Sequence, residues 1–129
     1  MTIFVLSSLP MNIEEFRDYC LSKPGAGESL PFDEYTLVFK VMSKMFTLTP
    51  LDDTFCFSVK ADPDEAESLK ERFPCITAAR YMDKKHWIMV RPDASIDDHT
   101  MKKLIDRSYE LVVQKMTGKD REALKKLSL

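Results

Sequence analysis

Residues 36–60 constrain the fold most. Leu37, Phe39 and Val41 alternate with Val38 and Lys40. A tight connection, Met42-Ser43-Lys44, leads into a second run from Met45 to Thr49. After a turn at Pro50 to Asp53, Phe55, Phe57 and Val59 alternate with Cys56, Ser58 and Lys60. Side chains along a strand point to opposite faces, so each alternating run reads as a strand with one apolar face and one mixed face. Short strands joined by turns predict an antiparallel meander, covered on its apolar side and partly open on the other.

Helices supply the cover. Asn12 is a natural N-cap, Glu15 closes a capping box, and Met11 and Phe16 stand at hydrophobic-staple positions. Ile13, Phe16 and Cys20 repeat at helical spacing, and Pro24-Gly25 ends this helix near Ser22. Lys23 to Glu34 reads as a loop. Asp62-Pro63-Asp64-Glu65 predicts a second start, with Asp62 as cap, Pro63 in the first helical position and Glu65 completing a box. Its apolar stripe is Ala66, Leu69 and Phe73, and Pro74 ends it. The longest helix is expected from about Ile96 to Met116, capped by Ser95 and terminated by Gly118. Its inner face is Met101, Leu104, Ile105, Ser108, Leu111 and Val112. Lys119 to Leu129 is expected to add one or two turns.

One strand remains. In Met82-Asp83-Lys84-Lys85-His86-Trp87-Ile88-Met89-Val90-Arg91, Ile88 and Val90 share an apolar face, while Trp87, Met89 and Arg91 fall on the other. The predicted order α-β-β-β-α-β-α gives an α+β two-layer sandwich, a mostly antiparallel sheet with helices on one face. Its open face would carry Val38, Lys40, Ser58, Lys60, Trp87, Met89 and Arg91. Residues 1–10 do not fit the pattern and are set apart as an N-terminal extension. Residues 11–129 are expected to form one domain, with 44% hydrophobic residues to fill a core.

The chemistry is sparse. The two histidines, His86 and His99, have no nucleophile, partner base or ligand at a useful spacing, and no catalytic or phosphate-loop motif occurs. A non-enzymatic protein without metal or cofactor is therefore expected. Cys20, Cys56 and Cys75 match no zinc or CxxC spacing and read as buried reduced thiols. No apolar run approaches a membrane span, so a cytoplasmic protein without a membrane partner is expected. The acidic residues Asp62, Asp64, Glu65 and Glu67 serve a helix start.

A net charge of −2 excludes nucleic-acid binding by bulk electrostatics, but residues 75–92 carry a local net +3. Lys84, Lys85 and Arg91 are the leading phosphate contacts, with Lys40, Lys44 and Lys60 in support and His86 and Trp87 against a sugar or base. Each phosphate neutralised would release counterions. The rival is a protein- or small-ligand-binding module on the open face, with Trp87 and Met89 as anchors. A third reading is weak metal binding by helix carboxylates such as Glu14, Glu15 and Asp18. Oligomeric state is left open.

Several segments together are familiar: Glu14 to Cys20 with Lys23-Pro24-Gly25; Pro31-Phe32 before Leu37 to Val41; Lys44-Met45-Phe46; Ser58-Val59-Lys60 with Asp62-Pro63; Met82 to Trp87; and Leu104 to Val112. In these the chain resembles the MmcQ/YjbR family of small bacterial proteins, from Met11 to about Leu124. The resemblance implies a CyaY-like α+β fold akin to frataxin, with two β-hairpin wings and a DNA-binding role. The first ten residues have no counterpart in that pattern.

Overall fold

The computed structural model describes residues 11–80 and 82–127; the proposed extension at 1–10 lies outside them. Among the described residues six strands form one antiparallel sheet: β1 (Ala26–Ser29), β2 (Thr36–Val41), β3 (Lys44–Pro50), β4 (Phe57–Lys60), β5 (Ile76–Ala78) and β6 (Trp87–Val90). Hydrogen-bonded neighbours run in the order β1-β2-β3-β4-β6-β5. Among the described residues four helices are interleaved: α1 (Ile13–Leu21), α2 (Pro63–Arg72), α3 (Asp98–Gln114) and α4 (Gly118–Leu127). The expected α+β class stands.

The order differs from the expectation in two strands and one helix. Ala26–Ser29, for which the sequence predicts a loop, pairs with β2, and Ile76–Ala78 pairs with β6. Both are edge strands of four and three residues, too short to display a period. Phe55 lies in the loop before β4, its ring 5.4 Å from that of Phe16. Gly118 opens α4 instead of ending the long helix.

The structure agrees with the sequence where capping is local. Asn12 and Glu15 form the reciprocal box, and Ser22 is the C-cap of α1. The structure differs where another partner competes. Asp62 sits at the N-cap of α2 but makes no side-chain cap bond; its carboxylate takes Arg107 at 2.8 Å, and Glu65 takes the same guanidinium at 3.0 Å. Asp97, not Ser95, caps α3 by accepting from the Thr100 N–H at 2.7 Å; Ser95 belongs to a turn held by Asp93.

The β2–β3 hairpin turns on two residues, Met42 and Ser43, both with positive φ (48° and 69°), the conformation a tight hairpin needs to match strand twist. Phe46 is an extra residue in the ladder, since Phe39 pairs with Thr47 and Lys40 with Met45. The bulge lets both Phe46 and Thr47 be fully buried. Phe39, Val41, Phe57, Val59, Ile88 and Val90 join Phe46 in one core with Met101, Ile105 and Val112 of α3.

Helix and sheet meet at Ser108. Its buried hydroxyl donates to the Phe46 carbonyl at 2.5 Å and accepts from the Lys60 N–H at 2.8 Å. At the other end of the core, Asp106 of α3 accepts from the Tyr19 hydroxyl at 2.6 Å and from the Lys23 ammonium, while the Tyr109 hydroxyl donates to the Pro24 carbonyl at 2.5 Å. All three cysteines are free and buried, as expected.

Ser108→Ala orphans the Lys60 N–H and the Phe46 carbonyl together. A buried unsatisfied group costs ~1–3 kcal/mol, so the expected loss is about 2–3 kcal/mol in urea-unfolding free energy. A loss below about 0.5 kcal/mol would show that the bridge does not hold the layers.

Candidate functional site

The helices lie on one face of the sheet, and the register fixes what the other face presents. Three rows cross it. The middle row is Val38, Leu48, Ser58, Met89 and Thr77. Two residues away in one direction lie Lys40, Met45, Lys60 and Trp87, and two residues away in the other lie Thr36, Pro50, Cys56 and Arg91. The predicted open-face set therefore does share a face, divided between opposite ends.

Over the middle row and the Thr36–Arg91 end lies a cleft of about 570 Å³. Leu48, Ser58 and Met89 form its floor, with Thr36, Pro50 and Cys56 beyond. Three loops wall it. The β1–β2 loop contributes Phe32 and Asp33, and the β3–β4 loop contributes Asp52 and Asp53. Arg80 and Met82 come from the β5–β6 loop, which connects strands at the opposite end. The two loops on the first side are tied by the Leu51 N–H donating to the Tyr35 carbonyl at 2.6 Å.

The cleft is apolar at its floor and charged around its rim. Asp33 accepts from the Tyr35 N–H at 2.8 Å and the Thr36 hydroxyl at 3.3 Å, and these bonds, the backbone one foremost, hold its carboxyl below the ordinary value. Arg91 faces Asp53 at 3.6 Å. Burial pushes the Cys56 thiol up, against the pull of Arg91, so it is protonated at neutral pH. Four polar residues are buried among those described. Thr47, Thr49 and Ser108 each donate to a carbonyl: of Ser58, Cys56 and Phe46, respectively. Ser58 is 5% exposed, and its hydroxyl has no protein partner among the described residues.

The eight residues read from the sequence as a phosphate site separate. Lys40 and Lys60 lie in one row with Trp87, and the loop carrying Lys84, Lys85 and His86 leads into it. Lys115, which the sequence reading missed, acts on Lys60 electrostatically. Burial first, and this like charge second, lower the Lys60 pKa. Three residues depart. Arg91 lies at the far end with Asp53. Lys44 pairs with Val41, on the helix-covered face at the hairpin tip. Trp87 is 8% exposed, so its ring is not available for stacking.

The basic turn is built on its one acid. The Asp83 carboxylate takes His86 Nδ1 at 2.6 Å and the Lys85 N–H at 3.0 Å, and its backbone carbonyl accepts from the N–H groups of His86 and Trp87. Lys84 and Lys85 are exposed and have no ion-pair partner among the described residues. Those residues contain no group of three or more His, Cys, Asp or Glu side chains placed to hold a metal, and no helix long and apolar enough to cross a membrane.

A family model described as YjbR matches residues 21–111. The uncharacterised protein YjbR of Escherichia coli K12 is 30% identical over 118 residues, 91% of this chain and 100% of that protein. The uncharacterised protein YbdF of Escherichia coli O157:H7 is 31% identical over 96 residues, 74% of this chain and 79% of its own length. Among solved structures, Deinococcus radiodurans protein DR2400, with a DUF419 domain, superposes with a TM-score of 0.82 at 34% identity, covering 88% of each chain. A Pseudomonas syringae protein superposes at 0.69 and 24% identity, over 79% of this chain and 99% of that one, which shows the fold alone.

The turn has a pH signature. Hydrogen bonding from His86, then from the Lys85 N–H, lowers the Asp83 pKa from 3.8. A depressed carboxyl stabilises the turn fully above 3.8, and the contribution disappears as pH falls through the lower folded value. An NMR titration of the Asp83 carboxyl carbon is expected to show a midpoint below 3.8; a midpoint at or above that value would mean the turn does not form.

Proposed function

The chain belongs to the YjbR family, and from that premise we propose that it is a non-enzymatic binding module that takes its ligand in the cleft on the open sheet face. One observation carries this reading. Of five large hydrophobic side chains exposed among the described residues, four (Leu30, Phe32, Tyr35 and Leu51) lie in the two loops that wall one end of the cleft. Phe32, which lines it, is 67% exposed. Apolar surface left in water forgoes about 25 cal/mol for each Å². A group of such residues beside a concave site marks a place where something else is meant to cover it. The apolar anchor is thus Phe32 with Met89 and Leu48, in place of the Trp87 anchor expected from sequence.

A second reading, DNA binding, is favoured by the gathering of Lys40, Lys60, Lys84 and Lys85 at the opposite end, where the nearby acid Asp83 is already bonded to His86. With Trp87 buried and Arg91 elsewhere, such contacts would be to phosphates, without base stacking.

Each reading has its own measurement. Titration with an anilinonaphthalene sulfonate dye is expected to show saturable fluorescence enhancement, weakened about tenfold, or ~1.4 kcal/mol, in Phe32→Ala/Leu51→Ala. Both side chains are exposed, so the melting temperature should stay within about 2 °C. Equal dye affinity in the variant would remove the cleft from consideration. For DNA, four phosphate contacts predict that log K falls against log salt with a slope of about −3 to −4, and Lys84→Ala/Lys85→Ala should lower it by about two. Binding that ignores salt, or none below ~100 μM at low salt, would end the phosphate reading.

A further inference from the structure

We propose that the cleft takes a dipolar ligand, of the size and polarity of a short apolar peptide with both ends free. Its carboxylate would lie toward Arg80, its ammonium toward Asp52, and a polar group between them against Ser58. This rests on the cleft reading and names the chemical class that the site suits.

The argument begins with which charges are already used. Asp53 is paired with Arg91, and Asp33 already accepts one hydrogen bond on each oxygen within its own loop. Two charged groups that line the cleft remain, and neither has a hydrogen-bond or ion-pair partner among the described residues: Arg80 and Asp52. They have opposite sign, and they enter from opposite ends, on the β5–β6 and β3–β4 loops. A simple anion would satisfy Arg80 and meet Asp52 as a repulsion; a simple cation would do the reverse. A molecule carrying both signs satisfies each, and its orientation is set by the polarity of the site.

Ser58 supplies the second, independent observation. Its hydroxyl sits at the centre of the floor, has no protein partner among the described residues although the residue is only 5% exposed, and is open to solvent from the cleft. In the unliganded protein that hydroxyl bonds water, and a polar group of a ligand in the cleft takes the water's place. A peptide group lying across the row Leu48, Ser58 and Met89 meets it with a carbonyl or an N–H, while apolar side chains rest on Leu48 and Met89.

Length agrees. The floor runs from the middle row to the Arg91 row, two residues or about 7 Å at 3.3 Å per residue, and the loops that carry Arg80 and Asp52 stand at its two ends. An extended tripeptide spans roughly 10 Å, which carries both end groups past the floor toward their partners. A volume of about 570 Å³ lies within the range of pockets that enclose molecules of this size.

The probes are trileucine, its N-acetylated form and its C-amidated form, titrated by calorimetry and by methyl shifts of Met82 and Met89. Trileucine is expected to bind at least tenfold more tightly than either blocked form. Arg80→Gln should abolish the discrimination against the amide alone, and Asp52→Asn that against the acetyl form alone. Ser58→Ala should weaken all three peptides while leaving stability without ligand unchanged, because it removes a hydroxyl with no partner. Equal affinity for the three forms, discrimination that survives both charge variants, or no peptide binding would each overturn the dipolar ligand. The dye titration separates the two failures. If the dye still binds through Phe32 and Leu51, the cleft stands and only the ligand class is lost; if it does not, the cleft reading falls as well.

Discussion

The layer contact through Ser108 is the constraint on which the rest depends. One hydroxyl joins the bulged residue Phe46 of β3 to the last residue of β4, and α3 is thereby fixed in rotation and height over the centre of the sheet. The bulge is part of the same device. Without the extra residue, Phe46 and Thr47 would point to opposite faces, and one of two fully buried side chains would lie on the open face. With helix cover committed to one face, the other face has no layer of its own. Its middle row is closed only by loops, and a concave gap between those loops follows directly.

The segments that carried the family resemblance divide into two kinds in the structure. Lys23-Pro24 and Asp106 to Tyr109 are stitching. Tyr19 and Lys23 converge on Asp106, the Lys23 ammonium lies 4.8 Å from the Tyr19 ring centroid, and Tyr109 reaches the Pro24 carbonyl. Gly25 belongs with them: its φ of +73° suits glycine, and a Cβ there would lie 2.6 Å from Leu124 Cδ1. These residues hold α1, α3 and α4 together and say nothing of a ligand. Phe32 and Met82, by contrast, lie in loops and line the cleft. Resemblance in the first kind carries the fold. Only the second kind bears on function.

What the sequence disclosed follows the range of each interaction. The Asn12–Glu15 box, the β2 alternation and the inner face of α3 depend on neighbours within one turn or one strand, and all were legible. The edge strands were not, because Ala26–Ser29 and Ile76–Ala78 are specified by the partner strand and not by their own pattern. Asp62 had every local mark of a capping residue, yet Arg107, 45 positions later, offers a charged bond that a cap does not match. The cleft was half legible. Periodicity placed Ser58, Met89 and Arg91 on the open face, but the walls come from three loops whose approach no local signal records.

The two ends of the open face differ in what they cost the folded protein. At the Lys40–Lys60 end, Lys84 and Lys85 are exposed and lose little by having no partner, so the gathering of lysines there is weak evidence of a ligand. The burial of Trp87 there reinforces the point, because the largest apolar surface at that end is already removed from water. At the other end the balance is reversed. Phe32, Tyr35 and Leu51 remain in water on loops bound to each other through backbone hydrogen bonding, so they cannot simply fold back onto the sheet without breaking the Leu51–Tyr35 link. Among these, Phe32 lines the cleft whose floor carries the solvent-accessible Ser58 hydroxyl. Exposed apolar surface is unfavourable in the unliganded protein, while that hydroxyl is left to bond water. A ligand that covers the first and keeps the second bonded gains the burial without losing the hydrogen bond, and free energy of that kind is what makes binding favourable.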